Sequence, residues 1–414
     1  MYKTTRIAIA GAVALALGSV VTGSLVPGLV SVAAAADEKP TVSREAGPDL
    51  KNAQTALVAK KYDEALAAIG KVLANPKKNA YDEYIANQFA MAAYAAEKKN
   101  GDAEKALEAV IASKYLPEGE KGSRINQAFY LNYQLQNYDK ALDFGKQLLD
   151  SGKADGQTKT FIAQAYYLKN DYKNTAKVVT DLVDTQIKAG ETPKEDLLLL
   201  GQSSAVKLND DAALSRWLDK LVTYHPKPEY WQNVLHGLFG TKMPDRQLLQ
   251  VYRLASDVGA LNEPSNYTDM AQLSLDAGSP GEAVAILQKG IDGGVFKTPA
   301  DLNRNTHLLD TAKKQMEKDQ PTLDKAAADA NTGDAMVGVG TGYFGYKQYD
   351  KAIDNLSKGV AKGGLKDALS AQLLLGVAQY KAGKKSEAVS SFAKVKGDPV
   401  MERVATLWSL HAKG

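Results

Sequence analysis

The pattern most typical of cofactor chemistry in this sequence is the glycine run GTGYFG at residues 340–345. The spacing G-x-G-x-x-G is that of a loop that holds a dinucleotide pyrophosphate at a helix N-terminus, and such a loop has to follow a β-strand. Here the run lies inside a segment with helical periodicity, and no strand is predicted before it. We therefore interpret its glycines as helix-packing positions, and the sequence predicts no cofactor.

The remaining residue types that could do chemistry show no catalytic arrangement. The chain has no cysteine, which excludes thiol nucleophiles and cysteine-ligated zinc. Its four histidines have no metal-ligand spacing, and H-E-x-x-H, G-x-S-x-G and phosphate-loop motifs are missing. His225 and His236 could meet across a Pro-x-Pro connector, but we favour isolated or partly packed histidines for all four: His225, His236, His307 and His411. The sequence predicts neither a metal site nor an enzyme.

The amino-acid composition limits the classes of molecule that the protein is expected to bind. The 414 residues are 44% hydrophobic, enough for a sizeable core, and carry 51 Lys and Arg against 48 Asp and Glu. A formal charge of +3 is too small for a nucleic-acid-binding surface, and there is no polyanionic tail. We expect the protein to act through shape and local contacts with another protein or a peptide, and not with nucleic acid.

The N-terminus has the pattern of an export signal. Lys3 and Arg6 precede the apolar run Ile7–Val21, and small residues up to Ala36 satisfy a small-x-small cleavage rule. We predict a signal peptide over residues 1–36, cleaved after Ala36; an uncleaved membrane anchor is the alternative. No other apolar run approaches ~18 residues, so we expect no further membrane span. An exported chain without cysteine is typical of a bacterial periplasm.

Helical periodicity dominates the rest of the sequence. Residues 37–50 are charged, contain two prolines and are predicted to be a flexible linker. From Lys51 onward the apolar residues recur at helical spacing and strand signals are lacking, as in the segment NYDKALDFGKQLLDSG, which stops at Gly152. The fold class predicted is all-α.

The helices repeat. The motif Tyr-Asp-x-Ala occurs three times, beginning at Tyr62, Tyr138 and Tyr349, and its alanine marks a register that recurs elsewhere with a period near ~34 residues. The register residues are Ala65, Ala106, Ala141, Thr175, Ala283, Ala352 and Ala388.

The sequence resembles the tetratricopeptide-repeat family across most of residues 51–402, most closely around the last two register residues. Gly340 and Gly376 stand where a small residue lets two helices approach, whereas Tyr343 and Phe392 stand where a large residue fills the space between units. The tryptophan of the family's first helix is missing. The resemblance implies about ten stacked antiparallel helix pairs, forming an α-solenoid with a right-handed superhelix and a concave groove.

The middle of the chain is less regular in sequence. We predict an N-terminal repeat array over residues 51–190, an irregular helical connector over residues 191–228 with Pro and Gly punctuation, and a C-terminal array over residues 229–414. Trp217 and Trp231 flank the Pro-x-Pro segment, and we expect them to be core residues or, alternatively, exposed anchors for a partner.

The resemblance also places a candidate binding surface on the inner side of the first helices. Amide and tyrosine side chains there can hydrogen-bond an extended peptide and stack on its side chains. The alternative is a hydrated wall with tyrosine rings packed between units. No Lys/Arg set for a free carboxylate accompanies these residues, which are Asn126, Tyr130, Tyr133, Thr160, Gln164 and Tyr167.

The C-terminal half is similar to a group of bacterial periplasmic tetratricopeptide proteins that accompany TonB-type energy-transduction systems. The similarity runs over residues 230–397 and consists of dispersed Leu, Gly and Ala positions with Trp231 and the pair Asp245 and Arg246. It implies an accessory role in a TonB-type transport system. An adaptor for envelope assembly or peptidoglycan machinery, unconnected with TonB, is the alternative.

Overall fold

The computed structural model describes residues 40–414, so the predicted signal peptide and its cleavage site lie outside the described residues. Every regular element within residues 40–414 is helical, with 21 α-helices and one 3₁₀ turn, which confirms the all-α prediction. No helix in this part of the chain combines the length and apolarity that a membrane crossing requires. The first helix begins at Gly47, inside the stretch 37–50 that was predicted to be a flexible linker.

Residue contacts divide the chain into two compact units, one up to Ala165 and one over Tyr166–Gly414. The N-terminal unit contains six complete helices and most of a seventh. They are α1 (Gly47–Val58), α2 (Tyr62–Ala74), α3 (Ala80–Ala96), α4 (Asn100–Ala112), α5 (Glu118–Gln134), α6 (Tyr138–Asp150) and α7 (Gly156–Leu168). Helices α1 and α2, α3 and α4, and α5 and α6 form pairs that pack on one another, and short turns make each pair antiparallel.

The C-terminal unit holds the remaining helices. They are α8 (Tyr172–Lys188), α9 (Glu195–Leu208), α10 (Asp211–Tyr224), α11 (Pro228–Phe239), α12 (Asp245–Asp257), α13 (Pro264–Asp276), α14 (Pro280–Asp292), α15 (Pro299–Asp319), α16 (Leu323–Asp329), α17 (Gly333–Gly345), α18 (Tyr349–Lys362), α19 (Ala368–Lys381), α20 (Lys385–Phe392) and α21 (Pro399–Lys413). The 3₁₀ turn Gln320–Thr322 links α15 to α16.

Most of the paired helices share one turn geometry. A single residue in the left-handed region ends the first helix of the pair, and the next N–H bonds back to the carbonyl five residues earlier, as Lys99 does to Tyr94 at 2.9 Å. Glycine adopts this conformation at no cost, but six of the eight positions carry another residue. The eight are Lys60, Lys98, Gln136, Asn170, Asn209, Gly278, Lys347 and Gly383.

These turns fix the repeat register. Five residues after each left-handed residue stands the register residue of the second helix, and at Ala65, Ala141 and Ala352 its side chain is fully buried. By this rule the register residue of α4 is Ala103, not Ala106, which lies one helical turn further on. The Tyr-Asp-x-Ala motif therefore opens a second helix and positions a small side chain against the first.

The segment 191–228 differs from the irregular connector that we expected. Helices α9 and α10 lie within it, pack on one another and are joined by the same left-handed turn, here at Asn209. Trp217 of α10 and Trp231 of α11 are both buried, so they are core residues and not exposed anchors. Of the residues that suggested irregularity, Gly190, Pro193 and Pro226 lie between helices, and Pro228 is the first residue of α11.

The glycine run at 340–345 lies inside helix α17, as the packing interpretation predicted. A Cβ atom on Gly340 would stand 2.7 Å from Cγ of Leu356 in α18, and one on Gly376 of α19 would run into the ring of Phe392 in α20. The glycines therefore allow close helix contacts. Tyr343 is 3% exposed and fills space beside them.

The last helix of the C-terminal unit contacts helices that are distant from it in the sequence. Helix α21 packs on α19, and it also contacts α10 and α12, which lie far earlier in the chain. In an open solenoid each repeat touches only the adjacent ones. These contacts close the C-terminal unit on itself, with Trp408 of α21 fully buried.

Candidate functional site

The predicted groove residues lie on two first helices. Asn126, Tyr130 and Tyr133 lie on α5 at spacings of four and three, which places them on one helix face. Thr160 and Gln164 lie on α7 within the N-terminal unit, and all five are half-buried. Tyr167 belongs to the C-terminal unit and is described separately below.

A chain of hydroxyl groups links α5 to α7. Thr158 is buried and donates through Oγ1 to Oδ1 of Asn126 at 3.2 Å. Its single proton is thereby used, so the hydroxyl of Tyr130, 3.2 Å from Oγ1 of Thr158, is the donor of that second bond. Sequence reasoning missed Thr158, because a buried threonine near a helix start gives no pattern that distinguishes it.

A second bond joins the same helices further along. The hydroxyl of Tyr133 donates to Oε1 of Gln164 at 3.1 Å. Burial raises the pKa of Tyr133 to about 12, so the phenol keeps its proton at neutral pH and remains a donor. This bond fixes the amide oxygen of Gln164 and leaves its Nε2 donors without a protein partner among residues 40–414.

The tyrosine rings are packed between the helices. Phe161 of α7 stands edge-on to the rings of Tyr130 and Tyr133, with centroids 5.3 and 5.1 Å away. Phe129 of α5 adds a contact to Tyr130 at 5.2 Å. The rings thus pack between the helices, as in the alternative interpretation. Sequence reasoning missed Phe161, although its position directly after the predicted groove residue Thr160 could have indicated it.

The other two predicted residues are placed differently. The hydroxyl of Thr160 donates to the carbonyl of Gly156 in its own helix at 2.8 Å, so it takes no part in the bonds between α5 and α7. In the C-terminal unit the hydroxyl of Tyr167 lies 2.6 Å from Oγ of Ser203, and its ring stands edge-on to Tyr172.

Uncharged amides extend the surface on α5 and α7. Gln134 and Gln157 are exposed and lie at helical spacing from the predicted residues. Residues 125–136 and 160–168 contain no charged side chain, in a protein that is 24% charged. We call this surface the amide–tyrosine face; it consists of Asn126, Gln127, Tyr130, Tyr133, Gln134, Gln157, Phe161 and Gln164.

The histidines are placed as follows. His225 bonds through Nε2 to the carbonyl of Pro193 at 2.8 Å, whereas His236 and His307 are exposed. His411 is not isolated, because its Nε2 lies 2.9 Å from Oδ2 of Asp257. Within the described part of the chain no three His, Asp or Glu side chains are grouped so as to hold a metal ion.

No protein-family model matches the chain, and no curated protein matches it in sequence. Several solved helical-repeat structures are similar to it. A tetratricopeptide repeat protein from Parabacteroides merdae ATCC 43184 matches at 10% identity over 78% of this chain and 98% of its own, with a TM-score of 0.30. The tetratricopeptide-repeat domain of P58(IPK) matches at 16% identity over 89% of this chain and 98% of its own, with a TM-score of 0.22.

A third similar structure is that of Naa15/Naa10 bound to HypK-THB, at 13% identity and a TM-score of 0.29. The match covers 87% of this chain and 65% of that one. The chain is thus similar to tetratricopeptide-repeat proteins in being built of helix pairs. These TM-scores are low, so we assign the architecture from the helix pairs and turns described above. We carry over nothing about function from the similar structures.

Proposed function

We propose that the protein is a tetratricopeptide-like scaffold whose amide–tyrosine face binds an extended segment of a protein partner. The observation that carries the proposal is the chemistry of this face. Two neighbouring helices present amides and tyrosines without a single charge over residues 125–136 and 160–168, and bonds between the helices hold them in place.

The chemistry suits a peptide backbone. The exposed amides of Gln134 and Gln157 offer both a donor and an acceptor, which matches the alternating N–H and C=O groups of an extended chain. The oxygens of Asn126 and Gln164 accept bonds within the face, so these two amides offer their N–H donors. Tyr130 and Tyr133 offer ring edges and faces for the partner's side chains. Because Phe161 and the hydroxyl bonds already order the rings, little side-chain entropy is lost when a partner binds.

The lack of charged residues in the face also indicates which ligands it does not bind. A free carboxylate or a phosphorylated segment is normally held by Arg or Lys, and none of the residues of the face is either. Arg124, which donates to Gln127 at the edge of the face, is paired with Glu120. We infer that recognition depends on backbone hydrogen bonds and on aromatic contacts, so the partner segment is internal to its chain. We propose no catalytic role and no cofactor.

We further propose that the protein acts in the bacterial periplasm. The basic and apolar pattern of residues 1–36 and the lack of cysteine support export. The sequence resemblance over residues 230–397 favours an accessory role in a TonB-type transport system. An adaptor for envelope assembly or peptidoglycan machinery is the second candidate function, supported by the same exported scaffold.

Affinity capture tests the proposal. The protein lacking residues 1–36 is immobilised and incubated with envelope extract of the source organism, alongside the double variant Gln134→Ala and Gln164→Ala. Gln147→Ala is the matched control, because Gln147 is an exposed amide on the second helix α6.

We expect the double variant to lose at least tenfold in retained partner and the control to be unchanged. Equal retention by all three proteins, with intact circular dichroism, would reject the assignment of the face. Mass spectrometry of the retained protein then separates the two functions: a transducer component supports the TonB role, and a peptidoglycan or assembly factor supports the alternative.

A further inference from the structure

The C-terminal unit contains a cavity of about 200 Å³ that is partly open to solvent. Helices α12, α13, α14, α17, α18, α19 and α21 contribute to its wall. The apolar part of the wall is formed by Met270, Ile286, Phe344, Val377 and Trp408, all of them buried. An apolar cavity of ~150 Å³ is large enough for benzene, so this one holds a ring or a branched chain together with a small polar group.

Two acidic side chains line the cavity, and both are neutralised. Arg253, whose side chain is 3% exposed, donates to both carboxylate oxygens of Glu282 at 2.9 and 2.7 Å, and its guanidinium stacks on Phe344. The carboxylate of Asp257 pairs with Lys381, and its other oxygen bonds to a histidine of α21. Neither acid leaves an uncompensated negative charge.

Two further cations line the cavity without an acidic partner. Lys289 of α14 and Lys347 of the turn after α17 are exposed residues. Neither forms an ion pair within residues 40–414, and the nearest bond of Lys289 is a long one, 3.5 Å to the carbonyl of Ser256. The lining therefore has a net positive charge.

We propose that the cavity binds a compact carboxylate with an apolar body. The ring or branched chain packs against Met270 and Phe344, and Lys289 and Lys347 neutralise the carboxylate. This site is independent of the amide–tyrosine face, since each lies within a different unit of the chain.

Calorimetry with defined probes tests the site. Phenylacetate is titrated into the wild-type protein, and phenylacetamide serves as the neutral probe of nearly the same shape. We expect phenylacetate to bind and phenylacetamide to bind at least tenfold more weakly. The double variant Lys289→Gln and Lys347→Gln should lose at least tenfold for phenylacetate, while Lys362→Gln, an exposed lysine of α18 outside the lining, should change nothing.

The peptide acetyl-Gly-Gly-Phe with a free C-terminus distinguishes the source of the carboxylate. If the peptide binds more tightly than phenylacetate, the natural ligand is the C-terminus of a protein chain. If only phenylacetate binds, the natural ligand is a free acid. Either result supports a carboxylate ligand with an apolar body. Undetectable binding of both anions at millimolar concentration, or equal binding of phenylacetamide, would overturn the proposal.

Discussion

Arg403 of the last helix, α21, donates through both terminal nitrogens to the two carboxylate oxygens of Asp219 in α10, at 2.7 and 2.6 Å. The two residues are 184 positions apart in the sequence, and each side chain is about one quarter exposed. A bidentate pair of this kind fixes orientation as well as distance. It ties the end of the C-terminal unit to its early helices, which makes the unit a closed structure.

We predict that breaking this pair destabilises the protein. Arg403→Met should lower the free energy of unfolding by about 1–2 kcal/mol, because Asp219 loses two charge-assisted bonds in a partly buried place. A double-mutant cycle with Asp219→Asn, followed by urea unfolding, measures the coupling energy.

The exposed pair Lys358 and Asp354 of α18 is the control, since both side chains are more than half exposed. Exposed pairs at this spacing couple by only about 0.3–0.5 kcal/mol. A coupling between Arg403 and Asp219 no larger than that of the control would show that the pair does not hold α21 in place.

A second prediction concerns pH. Burial alone would raise the pKa of Asp257, but hydrogen bonds from His411 and Lys381 and the charge of Lys381 outweigh it and hold the pKa below its ordinary value of 3.8. The folded protein therefore binds fewer protons here than the unfolded chain, so the stabilisation is complete above pH 3.8 and is lost as pH falls through the lower folded pKa.

Asp257→Asn removes the ionised group. We expect the variant to lose on the order of 1–2 kcal/mol at pH 7 and to approach the wild type as pH falls below 3.8. Thermal unfolding of both proteins from pH 7 to pH 2.5 measures the difference. A difference that is constant over this range would contradict the ionised Asp257.

A third prediction uses the left-handed turns. Lys98 has a φ of 59°, which costs a side chain roughly 1 kcal/mol and glycine nothing. Lys98→Gly should stabilise the protein by about 0.5–1 kcal/mol in urea unfolding. The same change at Lys105, an exposed residue inside α4, should destabilise it by about 1 kcal/mol. Effects of the same sign would show that the turn does not have the conformation described.

A fourth prediction compares two glycines of helix α17. Gly340→Ala places a methyl group 2.7 Å from Cγ of Leu356, and we expect a loss of about 1–3 kcal/mol from overpacking. A Cβ on Gly338 meets nothing within 4 Å, so Gly338→Ala should stabilise the helix by about 0.5–1 kcal/mol. Thermal unfolding measures both. A stabilising Gly340→Ala would contradict the close packing of α17 on α18.

The sequence was informative where local patterns determine structure. Helical periodicity predicted the all-α fold, and the buried Ala65, Ala141 and Ala352 stand at the predicted register positions. Helix α4 begins with Asn-Gly-Asp-Ala instead of Tyr-Asp-x-Ala, so the motif did not mark its start and the register residue was placed one helical turn late, at Ala106.

Contacts between residues far apart in the chain were beyond sequence reasoning. Arg403 and Asp219 have no spacing rule that connects them, and His411 looked isolated until the fold brought it to Asp257. At the amide–tyrosine face the residue types were predictable from helical spacing. The bonds through Thr158 were not, because they depend on how neighbouring helices pack.

Site-specific photocrosslinking in intact cells tests whether the amide–tyrosine face contacts a partner protein. A photoreactive amino acid is placed at Gln134, on the amide–tyrosine face, or at Gln147, the exposed amide on α6. We predict one major crosslinked protein from position 134 and none from position 147, with mass spectrometry mapping the link to an internal, extended segment of the partner. Equal crosslinking from both positions, or none from position 134, would contradict it.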